Sequence, residues 1–427
     1  MLAGVERRVS AVPQAAASLD APPPLRVCVL ADWAAGLGGM QRHTHDLVRG
    51  LVVAGHDVEV ICAAAEVDPA TYGARWIFVD TPGRSDRQWR EKYRAAFLAA
   101  DRRAPFDVVH SEWTAAQGLL LAPPVATPIV VKYHGAYLSL VKAHLRRAVE
   151  RPSTVHRELR GIVSDSRDHF AGGSAWRFRS CMTMAPSREQ VKDTARSSLV
   201  PMRLMRAVPN GIDTDLFRPR QSGPLRKALG LPEGRLFVSA GRLNHEKGLD
   251  VAIEAFARLA GDHPDSHLVI VGDGPRPKER RQLEALAAKR GVTSRTVFTG
   301  SQASERVAEY FAASDVFLFP TRRHEAGPIV LLEGMASGLP TITTRIGGNT
   351  EVVEPGNGAN AGLLIRPGSV DELEREMRRL LTDSLLAKTL GGRARERIIE
   401  EYTLETMIER TVAVYRIAIE RARAGRR

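Results

Sequence analysis

Short apolar runs alternate with amphipathic stretches along almost the whole chain, and the series runs through twice. Runs of this kind, bounded by turn residues and followed by helical spacing, are strands of a parallel sheet built from βαβ units. In the first series strands are expected at 25–33, 57–63, 75–80, 106–112, 128–135 and 181–187, with a helix within 36–56. In the second they are expected at 235–242, 266–274, 295–300, 315–321, 339–344 and 362–367, with helices at 250–260, 277–290, 304–313 and 328–337. Further helices are expected at 369–382, 384–401 and 403–423. The segment VPNGIDTDLFRP (208–219) carries the Pro, Gly and Asp residues of a turn-rich connection. The expected division is a flexible Ala/Pro tail at 1–24, a first domain at 25–204, a second at 205–402, and a last helix with a basic tail at 403–427. Only 138–180 breaks the rhythm: it reads as two basic helices parted near Pro152.

Composition narrows the class. The length, 427 residues, suits two or three domains, and 44% hydrophobic residues supply a sizeable core. Cys28, Cys62 and Cys181 lie far apart in apolar runs, with no C-x-x-C spacing, so they are expected to be buried thiols in a reducing cytoplasm. No apolar run reaches the ~18–20 residues of a membrane span. The N-terminal stretch is broken by Glu6, Arg7 and Arg8 and has no signal-peptide core. The net charge of +12, mostly arginine, fits nucleic acid, an anionic membrane or a phosphorylated substrate. The basic stretches lack interleaved aromatics, which argues against nucleic acid.

Several strand ends carry chemistry. Gly36, Gly38 and Gly39 follow the first strand and open a helix, which suits either a backbone approach to an anion or a tight turn. Arg242 and Lys247, in GRLNHEKGLD, follow the strand at 235–240, where parallel sheets bind ligands, and two cations there can neutralise a diphosphate. Gly272, Asp273 and Gly274 form a strand-to-helix turn. Glu325 ends the loop after 315–321, and Glu333 follows on a helix whose first position suits Pro328. One carboxylate on a loop and one on a helix can hold opposite ends of an elongated ligand. Gly347 and Gly348 fit either another backbone approach, with Glu351 as a polar contact, or a turn whose Glu351 is an N-terminal helix charge. His134 ends a strand and can meet a hydroxyl or phosphate, or be satisfied by backbone. His110, Ser111 and Glu112 end another strand and fit either acceptor binding or structure. Asp213-x-Asp215 mimics a metal motif, but its place in the connection speaks against one.

In order and spacing, GGMQRH (38–43), NGID (210–213), GRLNHEKG (241–248), GDGP (272–275) and the Glu325/Glu333 pair resemble glycosyltransferase family 4 over about residues 25–422. The resemblance implies the GT-B fold: two Rossmann-like doubly wound domains facing a cleft, with the C-terminal helix crossing back to the N-terminal domain. It implies an acceptor on the first domain and a nucleotide-sugar donor, UDP- or GDP-linked, on the second. A hexose-type sugar would pass to a hydroxyl of a glycan, a lipid-linked or a small-molecule acceptor, with retention of configuration and with no metal or other cofactor. Arg242 and Lys247 would bind the donor diphosphate, Glu333 the ribose, and Glu325 with the N–H groups of Ala326, Gly327 and Ile329 the transferred sugar. Gly39 would approach from the opposite domain, Gly272 and Gly274 would lie on the donor side, and His134 near the reacting face. Many members carry Gly-Phe-Gly after the first Glu; here Ala326-Gly327-Pro328 stands instead, and Pro328 has no N–H to give. An epimerase or phosphorylase of the same architecture is the main rival, and a non-catalytic basic binding protein a more distant one. The basic residues of 139–179, among them Lys142, Arg146, Arg147, Arg151, Arg157 and Arg160, fit docking on anionic lipid at the inner face of the cell membrane, an acidic acceptor, or a solvated face.

Overall fold

The computed structural model describes residues 22–425 apart from 33–38, 64–71, 81–85, 121–124, 136–140, 142–143, 146–147, 150–151, 174–180, 199, 275 and 357. Gly36, Gly38, Lys142, Arg146, Arg147, Arg151, Pro275 and all of the expected tail but 22–24 thus lie outside the described residues. The first sheet holds β1 (Arg26–Ala31), β2 (Asp57–Cys62), β3 (Arg75–Phe78), β4 (Val108–Glu112), β5 (Ile129–Lys132), β6 (Cys181–Ala185) and β7 (Met205–Ala207). Its order is β3-β2-β1-β4-β5-β6-β7, all parallel. The second holds β8 (Arg235–Ala240), β9 (Ser266–Val271), β10 (Thr296–Phe298), β11 (Val316–Phe319), β12 (Thr341–Thr344) and β13 (Leu363–Ile365), in the order β10-β9-β8-β11-β12-β13.

Both sheets are covered on both faces, and the alternation of side chains shows how. In β1, Val27 and Val29 enter one core cluster while Cys28 and Leu30 enter another. In β8, Leu236 and Val238 face one layer and Phe237 the other. All three cysteines are buried in these layers. This is the doubly wound, two-domain architecture expected of the GT-B fold. The strand order reverses between β1 and β4 and between β8 and β11, and crevices at such reversals are where ligands bind.

The expected domain boundary at 204/205 needs correction. Met205–Ala207 pairs with β6 as the last strand of the first sheet, so that sheet runs past the boundary. A three-residue edge strand offers too little alternation to be read.

The last helix, Leu404–Gly425, crosses back to the first domain, where Met407, Ile408, Tyr415 and Ala418 join the core of the first sheet. It lies on the helix Gly39–Val53, and Gly50 makes room for it: a Cβ there would fall 2.5 Å from Ile408 Cγ1. Among the described residues no helix is long and apolar enough to cross a membrane. Replacing Gly50 with leucine should wedge the two helices apart and lower stability by about 1–3 kcal/mol, the usual cost of overpacking. Thermal unfolding checks this, and an unchanged Tm would mean that the two helices are not in contact at Gly50.

Candidate active site

The donor side is assembled by the loops after β8 and β11. β8 ends at Ala240, and Arg242 follows, exposed and lining the cleft; among the described residues no carboxylate pairs with it. The chain then makes a 3₁₀ turn, His245–Lys247, whose preceding Asn244 Oδ1 accepts from the Lys247 N–H at 3.1 Å. Gly248 closes the turn at φ +68°, and a Cβ there would sit 2.0 Å from Pro320 O. Only glycine lets the two loops come this close. The result is an ion pair between Lys247 Nζ and Glu325 Oε1 at 2.6 Å, with the ammonium 5.2 Å from the Phe319 ring centroid. Burial alone would raise the Glu325 carboxyl, but Lys247 and Arg323 outweigh it and hold it below its ordinary value. Glu325 is therefore an acceptor at neutral pH.

The Glu325 loop is fixed from both sides. Arg322 grips Asp250 through two bonds, at 2.6 and 2.8 Å, and Gly348 N–H donates to Glu325 O at 2.6 Å. Of the two readings of Gly347 and Gly348, a ligand approach or a plain turn before a helix, this favours the turn. The two glycines back the Glu325 loop, where a Cβ on Gly347 would lie 2.4 Å from Glu325 O. Glu351 does not reach the cleft either: it accepts from the Arg188 N–H, at 2.9 Å, in the first domain. Asp213, by contrast, lines the cleft, but it forms a turn with the N–H groups of Asp215 and Leu216 and pairs with Arg49 at 3.1 Å.

Glu333 lies on the helix Ile329–Ala336, for which Pro328 is the residue before the first helical one rather than the first. The carboxylate is 6% exposed and receives Arg42 Nη1 from the opposite domain at 3.0 Å. Burial raises its pKa, and Arg42 opposes the rise. Arg42 was not singled out from the sequence; it reaches Glu333 only once the helix Gly39–Val53 faces the second domain.

On the first-domain side Gly39 opens that helix, and a Cβ placed on it would lie 3.9 Å from Ile329 Cδ1 across the cleft. His134, just past β5, is 11% exposed at the side chain, and its Nε2 is hydrogen-bonded to Glu112 Oε2. His110, Ser111 and Glu112 are fully buried below the cleft lining, which favours the structural one of their two readings over acceptor binding. Ser111 Oγ accepts from the Ala116 N–H at 2.9 Å, which is a structural task. Glu112 Oε1 faces His43 Nε2 at 3.5 Å and His110 Nε2 at 3.4 Å. Ligating atoms of His43, His110 and Glu112 lie within 4.8 Å of one another. A cation already serves this pocket, however. Lys132 is fully buried, its Nζ donates to Val208 O at 3.0 Å, and burial pushes it down to about 8 against the pull of Glu112. Burial and Lys132 also push His43 well below its ordinary value. The trio thus shares its charge with a buried ammonium, while Nε2 of His43 and Nε2 of His110 face Glu112 without a close hydrogen bond.

The two halves enclose a cleft of about 1030 Å³. Gly39 and His134 line it from the first domain. From the second come Arg242, Lys247, Gly272, the run Glu325–Ile329 and Glu333. Gly274 does not line it: a Cβ there would meet Glu279 Cβ at 2.9 Å, so this glycine serves the turn.

Comparison with known proteins agrees with this geometry. Residues 37–216 match the model for Glycosyltransferase Family 4, and 223–397 the model for Glycosyl transferases group 1. The chain is 31% identical over 300 residues to the 2-deoxystreptamine glucosyltransferase of Streptomyces kanamyceticus, covering 68% of this chain and 73% of that one. It superposes on the sucrose-phosphate synthase of Thermosynechococcus elongatus with a TM-score of 0.74 at 22% identity, covering 92% and 98% of the two chains. For Anabaena HepE in complex with UDP and glucose the values are 0.73, 19%, 91% and 98%. With both family models matched in order, one on each sheet domain, the chain belongs to the family 4 glycosyltransferases and is a sugar-transferring enzyme.

Proposed function

We propose that this enzyme transfers a hexose-type sugar from a UDP- or GDP-linked donor to a hydroxyl acceptor, with retention of configuration and without a catalytic metal. The carrying observation is the convergence of Arg242, Lys247, Glu325 and Glu333 on one cleft, opposite Gly39 and His134. The donor diphosphate lies against Arg242 and Lys247. As the glycosidic bond breaks, negative charge grows on the leaving phosphate, and fixed cations stabilise that charge. Ionised Glu325 accepts from hydroxyls of the sugar, the N–H groups of Ala326, Gly327 and Ile329 donate to it, and Glu333 takes the ribose hydroxyls. The bound UDP and glucose in HepE support a donor of this class. Lys247 and Thr321 hold Glu325 through Oε1 as a fixed acceptor for the sugar, and retention in this reading comes from same-face attack, with the acceptor proton passing to the departing phosphate, rather than from a covalent glycosyl-enzyme. The acceptor hydroxyl then attacks on the face that the diphosphate leaves, beside His134.

A second reading concerns where the enzyme works. On the helix Val155–Gly173, Leu159 and Val163 are 49% and 69% exposed, beside exposed Arg157 and Arg160. An apolar strip rimmed by arginine suits the surface of an anionic membrane. It supports peripheral contact and an acceptor held at that surface.

Glu325→Ala should cut transfer by a factor on the order of 10²–10³ while far-UV circular dichroism stays unchanged; undiminished transfer would refute the site. In a thermal-shift panel of UDP- and GDP-sugars, the true donor at about 100 times its Kd should add about 2.7 kcal/mol of stability. No response to any nucleotide or nucleotide sugar would sink the donor assignment. Flotation should carry the protein with vesicles rich in anionic lipid at low salt and release it at high salt; absence of binding at low salt rejects the membrane contact.

A further inference from the structure

We propose that Glu112 is a positioning residue for sugar transfer: it sets which nitrogen of His134 carries the proton, and the C-terminal helix holds it in place through Tyr415 and His110. The inference rests on the reading of His134 as a group at the reacting face.

The geometry runs in one chain of contacts. Tyr415, on the helix Leu404–Gly425, is fully buried, and its Oη lies 2.7 Å from His110 Nδ1. A phenol is the natural donor here, so His110 Nδ1 accepts and its proton sits on Nε2. That Nε2 faces Glu112 Oε1 at 3.4 Å. The opposite arrangement would aim a ring lone pair at a buried carboxylate. Glu112 Oε1 also has Thr44 Oγ1 at 3.5 Å and His43 Nε2 at 3.5 Å. Its other oxygen, Oε2, is left to His134 Nε2. Lys132 stands opposite Glu112 in the strand register and supplies the counter-charge. His43 meets the His134 ring edge-on, with centroids 5.0 Å apart.

A carboxylate that is 2% exposed is costly to hold unless each oxygen is matched. Here one oxygen is matched by groups below the cleft and the other by a single ring that lines it. In neutral His134 the carboxylate places the proton on Nε2. Nδ1 then carries the lone pair, and it is the nitrogen available to accept from a hydroxyl in the cleft. A residue needed only to fill the end of β4 would be apolar, as Val108 and Val109 on the same strand are. The groups that face Glu112 come from positions 43, 44, 110 and 134, and Tyr415 joins through His110.

The test combines a spectroscopic readout with kinetics, both on the full chain. With ¹⁵N-labelled histidine, His134 resonances are identified by their loss in His134→Ala. The neutral ring of the unsubstituted protein should show a single tautomer protonated on Nε2, and Glu112→Gln should abolish that preference. A wild-type tautomer in Glu112→Gln, or an Nδ1-protonated ring in the unsubstituted protein, overturns the proposal. In donor turnover Glu112→Gln should lower kcat about tenfold or more while KM for the donor changes less than about twofold. In a His134→Ala background the same change should cost nothing further; independent, multiplicative losses overturn it. Tyr415→Phe deletes one hydroxyl and keeps the ring packed. It should lower kcat by a smaller factor and broaden the His134 tautomer signal, and no change in either overturns the link to the C-terminal helix. If no nucleotide sugar is turned over, the proposed function fails, yet the tautomer measurement still decides whether Glu112 sets His134.

Discussion

Ile212 is where the two crossings between the domains meet. Its N–H donates to Tyr402 O at 2.8 Å, and its carbonyl accepts from the Leu404 N–H at 3.2 Å. One crossing leaves the first sheet after β7, and the other returns through Leu404 into the last helix. Arg395 ties the connecting segment to the second domain by donating to Thr214 O, Phe217 O and Ala336 O. The last helix ties the other crossing to the first domain. The carboxyl ends of both sheets are thereby held toward one cleft, and no single strand spans it. Each cross-cleft contact of the candidate site depends on this arrangement. Further bonds between the domains are polar, among them Arg42 to Glu333 and to Ser304, Glu189 to His324 at 3.0 Å, Glu351 to the Arg188 N–H, and Asn210 Nδ2 to Gly327 O at 2.8 Å. Rotation about the hinge would break such contacts without opening a core.

The cleft is arranged so that a charged ligand exchanges partners rather than creating new charge. Lys247 is paired with Glu325, and Glu333 with Arg42, while Arg242 projects into the space between. A buried ion pair adds little net stability, because desolvation offsets attraction. Under the proposed function, replacing Arg42 at Glu333 by ribose hydroxyls therefore costs little, provided both lone-pair sets of the carboxylate find donors. The same holds for Lys247, which can turn to a phosphate while Glu325 keeps Thr321.

Much of this was legible in the chain because it is local. Strand, glycine turn and helix follow one another within a dozen or so residues, so the positions of Arg242, Lys247 and Glu325 beyond the carboxyl ends of strands, and of Glu333 on the helix that follows, could be read from spacing. What could not be read is what depends on contacts between distant segments. Arg42 looks like any helical arginine until the second domain stands opposite. Gly347 and Gly348 have the pattern of a ligand-binding turn, and only the fold shows the Glu325 backbone in the space a ligand would need. Met205–Ala207 is too short to carry a period, and the boundary slipped with it. His43, Glu112, His134 and Tyr415 are spread over the chain, and no spacing rule joins them. His134 and Glu112 were each visible as strand-end polar residues, but their coupling was not.

The departure at Ala326-Gly327-Pro328 can be weighed on the same footing. Proline at the position before Ile329 removes one N–H from the helix entrance. It keeps φ at −76°, close to what its ring prefers, and its carbonyl accepts from Leu331 and Leu332. Of the first N–H groups, those of Ile329 and Val330 keep no such partner among the described residues, and both residues line the cleft. Gly327 contributes its carbonyl to Asn210, which orients its peptide and holds this loop to the segment that leads into the hinge. The substitution thus takes away one donor and leaves the helix end intact. Under the proposed function its effect falls on which sugar hydroxyl is matched, and the role proposed for Arg242 and Lys247 at the leaving phosphate does not depend on it.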